Sequence, residues 1–136
     1  MDKKELCSMA ADAMKKSYAP YSGYTVGAAL LCRNGRVYLG CNIENAAYSP
    51  SVCAERTAFF KAVSEGERDF TAIAVAGGKG GKIQNGAPPC GVCRQVMAEF
   101  CGGDFEILVA AGEDSFKSYT LSELLPESFG PDNLNG

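Results

Sequence analysis

The chain has 136 residues, 46% of them hydrophobic and 21% charged, with 13 basic side chains against 16 acidic ones. That size and composition fit one compact domain with its own core, and they exclude wholesale disorder and fibrous repeats. The net charge of −3 argues against a long polyanionic partner such as nucleic acid, and no apolar run approaches the ~20 residues that span a bilayer.

The N-terminus is polar and lacks a signal-peptide core, so a cytosolic protein is expected. Asp2 and Glu5 suit a capping box. Leu6, Met9, Ala10, Ala13, Met14 and Ser17 then recur at helical spacing, predicting an amphipathic helix over residues 3–17 that Ala19-Pro20 ends. Residues 27–32 and 36–41 are short apolar segments joined by Asn34-Gly35, a strong hairpin signal. A polar connection over 42–52 leads to a helix at 53–65 with Ala58, Phe59, Ala62 and Val63 inward and Gly66 as its stop. Residues 71–76 read as a strand covered on both faces, followed by a glycine-rich loop. Pro88-Pro89 close that loop before a helix over 90–101, stopped by Gly102-Gly103. A strand at 105–110, a turn at Gly112-Glu113-Asp114, a strand at 117–120, a short helix at 121–125 and a frayed tail complete the chain.

The order α-β-β-α-β-α-β-β predicts an α/β fold, a three-layer α-β-α sandwich around a five-stranded mixed sheet. One domain is expected over residues 1–136, with a flexible tail at 127–136. Right-handed crossovers bring the starts of two successive helices to one edge of the sheet, where ligands bind in such folds. The residues at those starts are Cys53-Ala54-Glu55 and Cys90-Gly91-Val92-Cys93.

Two counts narrow the chemistry. There is no histidine, which removes Ser-His-Asp and Cys-His catalysis and every imidazole ligand. There are seven cysteines, an odd number without an export signal, so thiols or metal ligands are expected rather than a disulfide framework. Cys90 and Cys93 can share one ligand face, and Cys53 joins them from the other helix start. Three thiolates suit zinc and leave a fourth position for water, the arrangement of a catalytic site. Glu55 reaches that position only if the metal sits beyond the helix end, since residues two apart do not share a helix flank. Cys7, Cys32, Cys41 and Cys101 read as packing residues. Gly77-Gly78-Lys79-Gly80-Gly81-Lys82 lacks the first glycine and the final Ser or Thr of a phosphate-binding loop and reads as a flexible loop.

Cys53-Ala54-Glu55-Arg56-Thr57 and Pro89-Cys90-Gly91-Val92-Cys93-Arg94-Gln95 resemble the two halves of the zinc signature of cytidine deaminases, in which the glutamate stands outside the metal shell. Cysteine as first ligand is similar to the small homotetrameric cytidine deaminases and to blasticidin S deaminase. The likeness extends to Tyr18-Ala19-Pro20-Tyr21-Ser22, 26–30, 40–46 and Glu123-Leu124-Leu125-Pro126. It implies one zinc per chain on Cys53, Cys90 and Cys93, with Glu55 moving protons. It implies deamination of cytidine and deoxycytidine, and a homotetramer with neither nucleic-acid nor membrane partners. It also implies that Asn42 and Glu44 contact the ribose, that Tyr24 stacks on the pyrimidine where the family usually has Phe, and that the Ala54 N–H holds the base carbonyl. Phe129 aligns with an aromatic that a neighbouring subunit lends to the site. Glu44 favours a nucleoside over blasticidin S. Arg56 is expected to donate to thiolate sulfur and offset the charge of the site; Arg94 either does the same or lies on the surface. Two other readings are a Cys-x-x-Cys redox protein, which leaves Cys53 and Glu55 unexplained, and a zinc-stapled binding module closed by Cys41 or Cys101.

Overall fold

Asp2 caps the first helix, α1 (Lys3–Ala13), its carboxylate accepting from the Lys4 N–H. The reciprocal Glu5 contact of a capping box is not among the hydrogen bonds of the described residues. The helix then tightens into a 3-10 turn over Met14–Lys16, so the predicted span is helical but not uniform. Strands β1 (Tyr24–Cys32) and β2 (Val37–Cys41) form the expected hairpin. Its turn needs Gly35, at φ +94°, and the Asn34 side chain accepts from the Arg36 N–H. Next come α2 (Ala54–Ser64), β3 (Phe70–Lys79), α3 (Gly91–Phe100), β4 (Glu106–Ala110), β5 (Phe116–Thr120), α4 (Leu121–Leu124) and α5 (Pro131–Asn135). The computed structural model describes residues 1–84, 86–112 and 114–135, so Glu113 of the predicted 112–114 turn lies outside the described residues.

The five strands form one mixed sheet in the order β2-β1-β3-β4-β5. β1 runs antiparallel to β2 and β3, β3 runs parallel to β4, and β5 is antiparallel to β4. Both crossover helices therefore join parallel strands. The side chains alternate strictly between the faces. Ala28, Leu30, Ile73, Val75, Ile107 and Val109 pack under α2 and α3. Ala29, Ala72, Ala74, Ala76, Leu108 and Ala110 pack under α1.

Two glycines let helices sit close on the sheet. A Cβ on Gly27 would lie 2.0 Å from the Ala10 carbonyl oxygen of α1. A Cβ on Gly40 would lie 2.3 Å from the Ala54 oxygen, at the very start of α2. The second contact fixes the end of α2 that carries Cys53. Under the far ends of α2 and α3, Phe59 meets the rings of Phe70, Phe100 and Phe105 at centroid distances of 5.1, 6.3 and 6.0 Å. Truncating Phe59 to Ala would cost about 3–5 kcal/mol by the usual cavity cost.

One sequence expectation is overturned. β3 does not stop at Ala76; it continues through Gly77 and Gly78 to Lys79, paired with Val26, Thr25 and Tyr24 of β1. Glycine is a poor strand former, but the partner strand supplies the hydrogen bonds. Its lack of a side chain also lets the following turn fold back, since a Cβ on Gly78 would lie 1.8 Å from the Lys82 oxygen. The tail holds a short helix, α5, for which the sequence carries no periodic signal.

Candidate active site

Cys53 and Cys90 are the N-cap residues of α2 and α3, both in extended backbone, and neither side chain is spent on capping a helix. Cys93 lies in the first turn of α3. The sulfurs of Cys53 and Cys90 are 3.6 Å apart, as are those of Cys90 and Cys93, and all three fall within 4.8 Å of one another. A tetrahedral zinc with Zn–S of about 2.3 Å would hold its sulfurs roughly 3.8 Å apart, so the donor set fits the ion. Cys93 is buried, Cys53 half-buried and Cys90 exposed, which leaves the cluster open on one side. Cys41 and Cys101 do not join it.

The cluster is electrostatically tense. Cys53 is pulled down to about 5, first because Cys93 donates to it and then because Arg56 and Cys90 do. Cys93 keeps the complementary proton and is pushed up, by that same contact with Cys53 and by burial. Arg56 Nη2 stands 3.4 Å from Cys53 Sγ, as expected of a residue that offsets thiolate charge. Glu55 is 3% exposed, and burial, reinforced by the charge on Cys53, pushes its carboxyl up to about 7. Among the described residues, Glu55 Oε1 and Arg56 Nε are the buried side-chain polar atoms without a partner. Two orphans side by side at one cleft mark a place where a polar ligand belongs.

The cleft encloses about 470 Å³, and Tyr24, Asn42, Glu44, Cys53, Glu55 and Cys90 all line it. Val26, Val52 and Arg56 line it as well. Asn42 clips the start of β1, accepting from the Val26 N–H and donating to the Tyr24 oxygen, both at 2.8 Å. One amide hydrogen remains for a ligand. Glu44 accepts from the Tyr21 N–H at 2.9 Å, the Ser22 N–H at 3.1 Å and the Ser22 hydroxyl. The Ser22 hydroxyl, ahead of these amides, holds the Glu44 carboxyl below its ordinary value. Ala54 is fully buried at the first position of α2, where its N–H has no intrahelical acceptor.

Phe129 is not among the residues lining this cleft. It is 58% exposed, and its carbonyl accepts from Gln95 Nε2 of α3 at 2.8 Å. Arg94 fits neither alternative offered for it. It is part-buried and ties two carbonyls together, Pro89 and Leu124, each at 2.7 Å. Cys7 and Cys32 are buried as packing residues should be. Tyr21 and Ser22 organise Glu44. The sequence reading names them within the Tyr18-Ala19-Pro20-Tyr21-Ser22 likeness but gives them no role, because their partner lies some twenty residues away.

Comparison with known proteins agrees with this geometry. Residues 1–109 match the zinc-binding region of cytidine and deoxycytidylate deaminases. The chain is 46% identical to a cytidine deaminase of Sporosarcina psychrophila over 135 residues, covering 99% of this chain and 96% of that one. It is 47% identical to a cytidine deaminase of Halalkalibacterium halodurans, covering 99% of each. Its fold matches the crystal structure of a cytidine deaminase from Burkholderia pseudomallei with a TM-score of 0.87 and 41% identity, over 95% of this chain and all of the other. An open three-cysteine cluster, a buried glutamate beside it and near full-length likeness place the chain in the cytidine and deoxycytidylate deaminase family.

Proposed function

We propose that the protein is a zinc-dependent hydrolase that converts cytidine and 2′-deoxycytidine to uridine and 2′-deoxyuridine with release of ammonia, a step of pyrimidine salvage in the cytoplasm. The observation that carries this reading is the buried, unpaired Glu55 carboxyl beside the three-sulfur cluster, at the floor of a nucleoside-sized cleft. Cys53, Cys90 and Cys93 hold one zinc. The ion supplies Lewis acidity that makes water nucleophilic at neutral pH. Glu55 takes a proton from the attacking water and gives it to N3. It then takes the remaining proton of the new C4 hydroxyl and gives it to the 4-amino group, which departs as ammonia while C4 becomes a carbonyl. A carboxyl held near 7 by burial suits both halves of that exchange.

The other residues orient the nucleoside. The free Ala54 N–H meets the base carbonyl, Tyr24 stacks on the pyrimidine, and Asn42 and Glu44 hold the sugar. Phe129 serves the site of a neighbouring subunit in a homotetramer. Its exposure away from its own cleft supports this, as do the exposed Tyr48, Phe60 and Leu134. Blasticidin S is not favoured as substrate, because the relatives are named cytidine deaminases and Glu44 lines the cleft.

The test is an ultraviolet assay of cytidine and 2′-deoxycytidine turnover, with metal analysis of the same sample. Turnover with one zinc per chain is expected; full activity without zinc, or zinc without turnover, would overturn the reading. Light scattering at assay concentration should find the tetramer, and a fully active monomer would remove Phe129 from the site.

A further inference from the structure

We infer that Ser22 is a positioning residue for sugar recognition: its hydroxyl aims the Glu44 carboxylate at one hydroxyl of the nucleoside and ties that carboxylate to the backbone of Tyr24. The inference rests on the reading of Glu44 as a sugar ligand. An ionised carboxylate offers about four acceptor positions and no donor. Glu44 Oε1 takes the Tyr21 and Ser22 N–H groups, and Oε2 takes the Ser22 hydroxyl. One position remains, on the oxygen that Ser22 touches, and Glu44 lines the cleft. Only a donor fits it, and the donors a nucleoside carries away from its base are sugar hydroxyls.

The Ser22 oxygen is itself an acceptor, 3.0 Å from the Tyr24 N–H. A directional chain thus runs from the Tyr24 backbone through Ser22 to Glu44, and the sugar hydroxyl closes it from the other side. The Tyr24–Ser22 and Ser22–Glu44 bonds polarise in series and strengthen each other, and the sugar hydroxyl is a second donor to the same carboxylate. The segment is held against residues 42–44 by backbone bonds as well, Tyr18 N–H to the Asn42 oxygen at 3.0 Å and Glu44 N–H to the Tyr18 oxygen at 2.8 Å. Gly23, at φ +70°, lets the chain turn sharply between Ser22 and Tyr24. The competing reading is that Glu44 merely caps this turn and meets no substrate.

The experiment measures KM and kcat for cytidine, 2′-deoxycytidine and 3′-deoxycytidine with the wild type, Glu44→Gln, Ser22→Ala and Ser22→Thr. Glu44→Gln should raise KM for every nucleoside except the one that lacks the recognised hydroxyl. Ser22→Ala should raise KM by about three- to tenfold, the range expected for one lost hydrogen bond, on those same substrates and should lose its effect on the same exception. The change should fall in KM rather than kcat, and Ser22→Thr, which keeps the hydroxyl, should restore most of it. A Ser22→Ala penalty that is the same on all three nucleosides, while that of Glu44→Gln is not, overturns the role of Ser22 and leaves the sugar reading standing. A Glu44→Gln penalty that is itself the same on all three overturns both.

Discussion

As the proposed proton carrier, Glu55 would meet two requirements that pull against each other. Burial would send its proton to the substrate rather than to bulk water, yet burial disfavours the charged form that would act as base. The structure resolves this by keeping the carboxyl near 7 and leaving Oε1 unpaired toward the cleft. Glu55→Gln keeps shape and loses basicity. It should leave zinc content at one per chain and lower kcat by at least about 10²–10⁴-fold; near-normal turnover would take Glu55 out of the mechanism. Arg56 answers the opposite need, since it faces a sulfur rather than solvent. In metal-free Arg56→Ala, Cys53 should titrate above its present value of about 5, because a donor and a positive charge have gone. Ultraviolet thiolate absorbance followed against pH checks this, and an unchanged titration would reduce Arg56 to a packing role.

At the scale of elements, α3 does more than present Cys90 and Cys93. Arg94, one turn after Cys90, reaches back to the Pro89 carbonyl and across to the last turn of α4. The peptide unit before a zinc ligand is thus held by a charged fork, with α4 as its anchor. Arg94→Ala should speed chelator-driven zinc release by about tenfold or more, the usual cost of losing support behind a metal ligand. Arg94→Lys should not restore it, because an ammonium cannot span both carbonyls. Unchanged release with the circular dichroism spectrum intact would show the tie to be incidental. Such ties are what the sequence could not disclose. The hairpin was legible from Asn34-Gly35, the helices from their periodicity, and the metal cluster from two helix starts carrying cysteine. Arg94, Ser22 and the run of β3 through Gly77 and Gly78 depend on partners distant in the chain, against which local propensity is silent or misleading. Phe129 enters only as a proposal from likeness, since within one chain it does not line the cleft.

For the whole molecule, zinc binding and folding draw on the same sulfurs. Without metal, two groups set opposing dependences on pH. Cys53 has a folded value of about 5 against an ordinary 9.0, so its contribution to stability is present above the ordinary thiol range and is lost as pH falls through 5. Glu55 has a folded value of about 7 against an ordinary 4.5, so its contribution favours folding at acid pH and fades as pH rises through 7. Zinc adds a steeper term. Coordination needs thiolates, and the native metal-free chain still holds the proton of Cys93, which binding must expel. Apparent zinc affinity should therefore fall at least about tenfold per unit of pH lowered below neutrality. With zinc in fixed excess, each tenfold is about 1.4 kcal/mol of stability, or on the order of 4–6 °C in Tm for a chain of this size. The Tm gap between zinc-loaded and chelator-stripped protein should be widest near pH 8 and close toward pH 5. Scanning calorimetry of both forms across that range, with zinc affinity from chelator competition at each pH, reads the gap and its cause together. A gap that stays constant with pH would mean that zinc binds without displacing protons from the cysteines, and the three-thiolate site would be wrong.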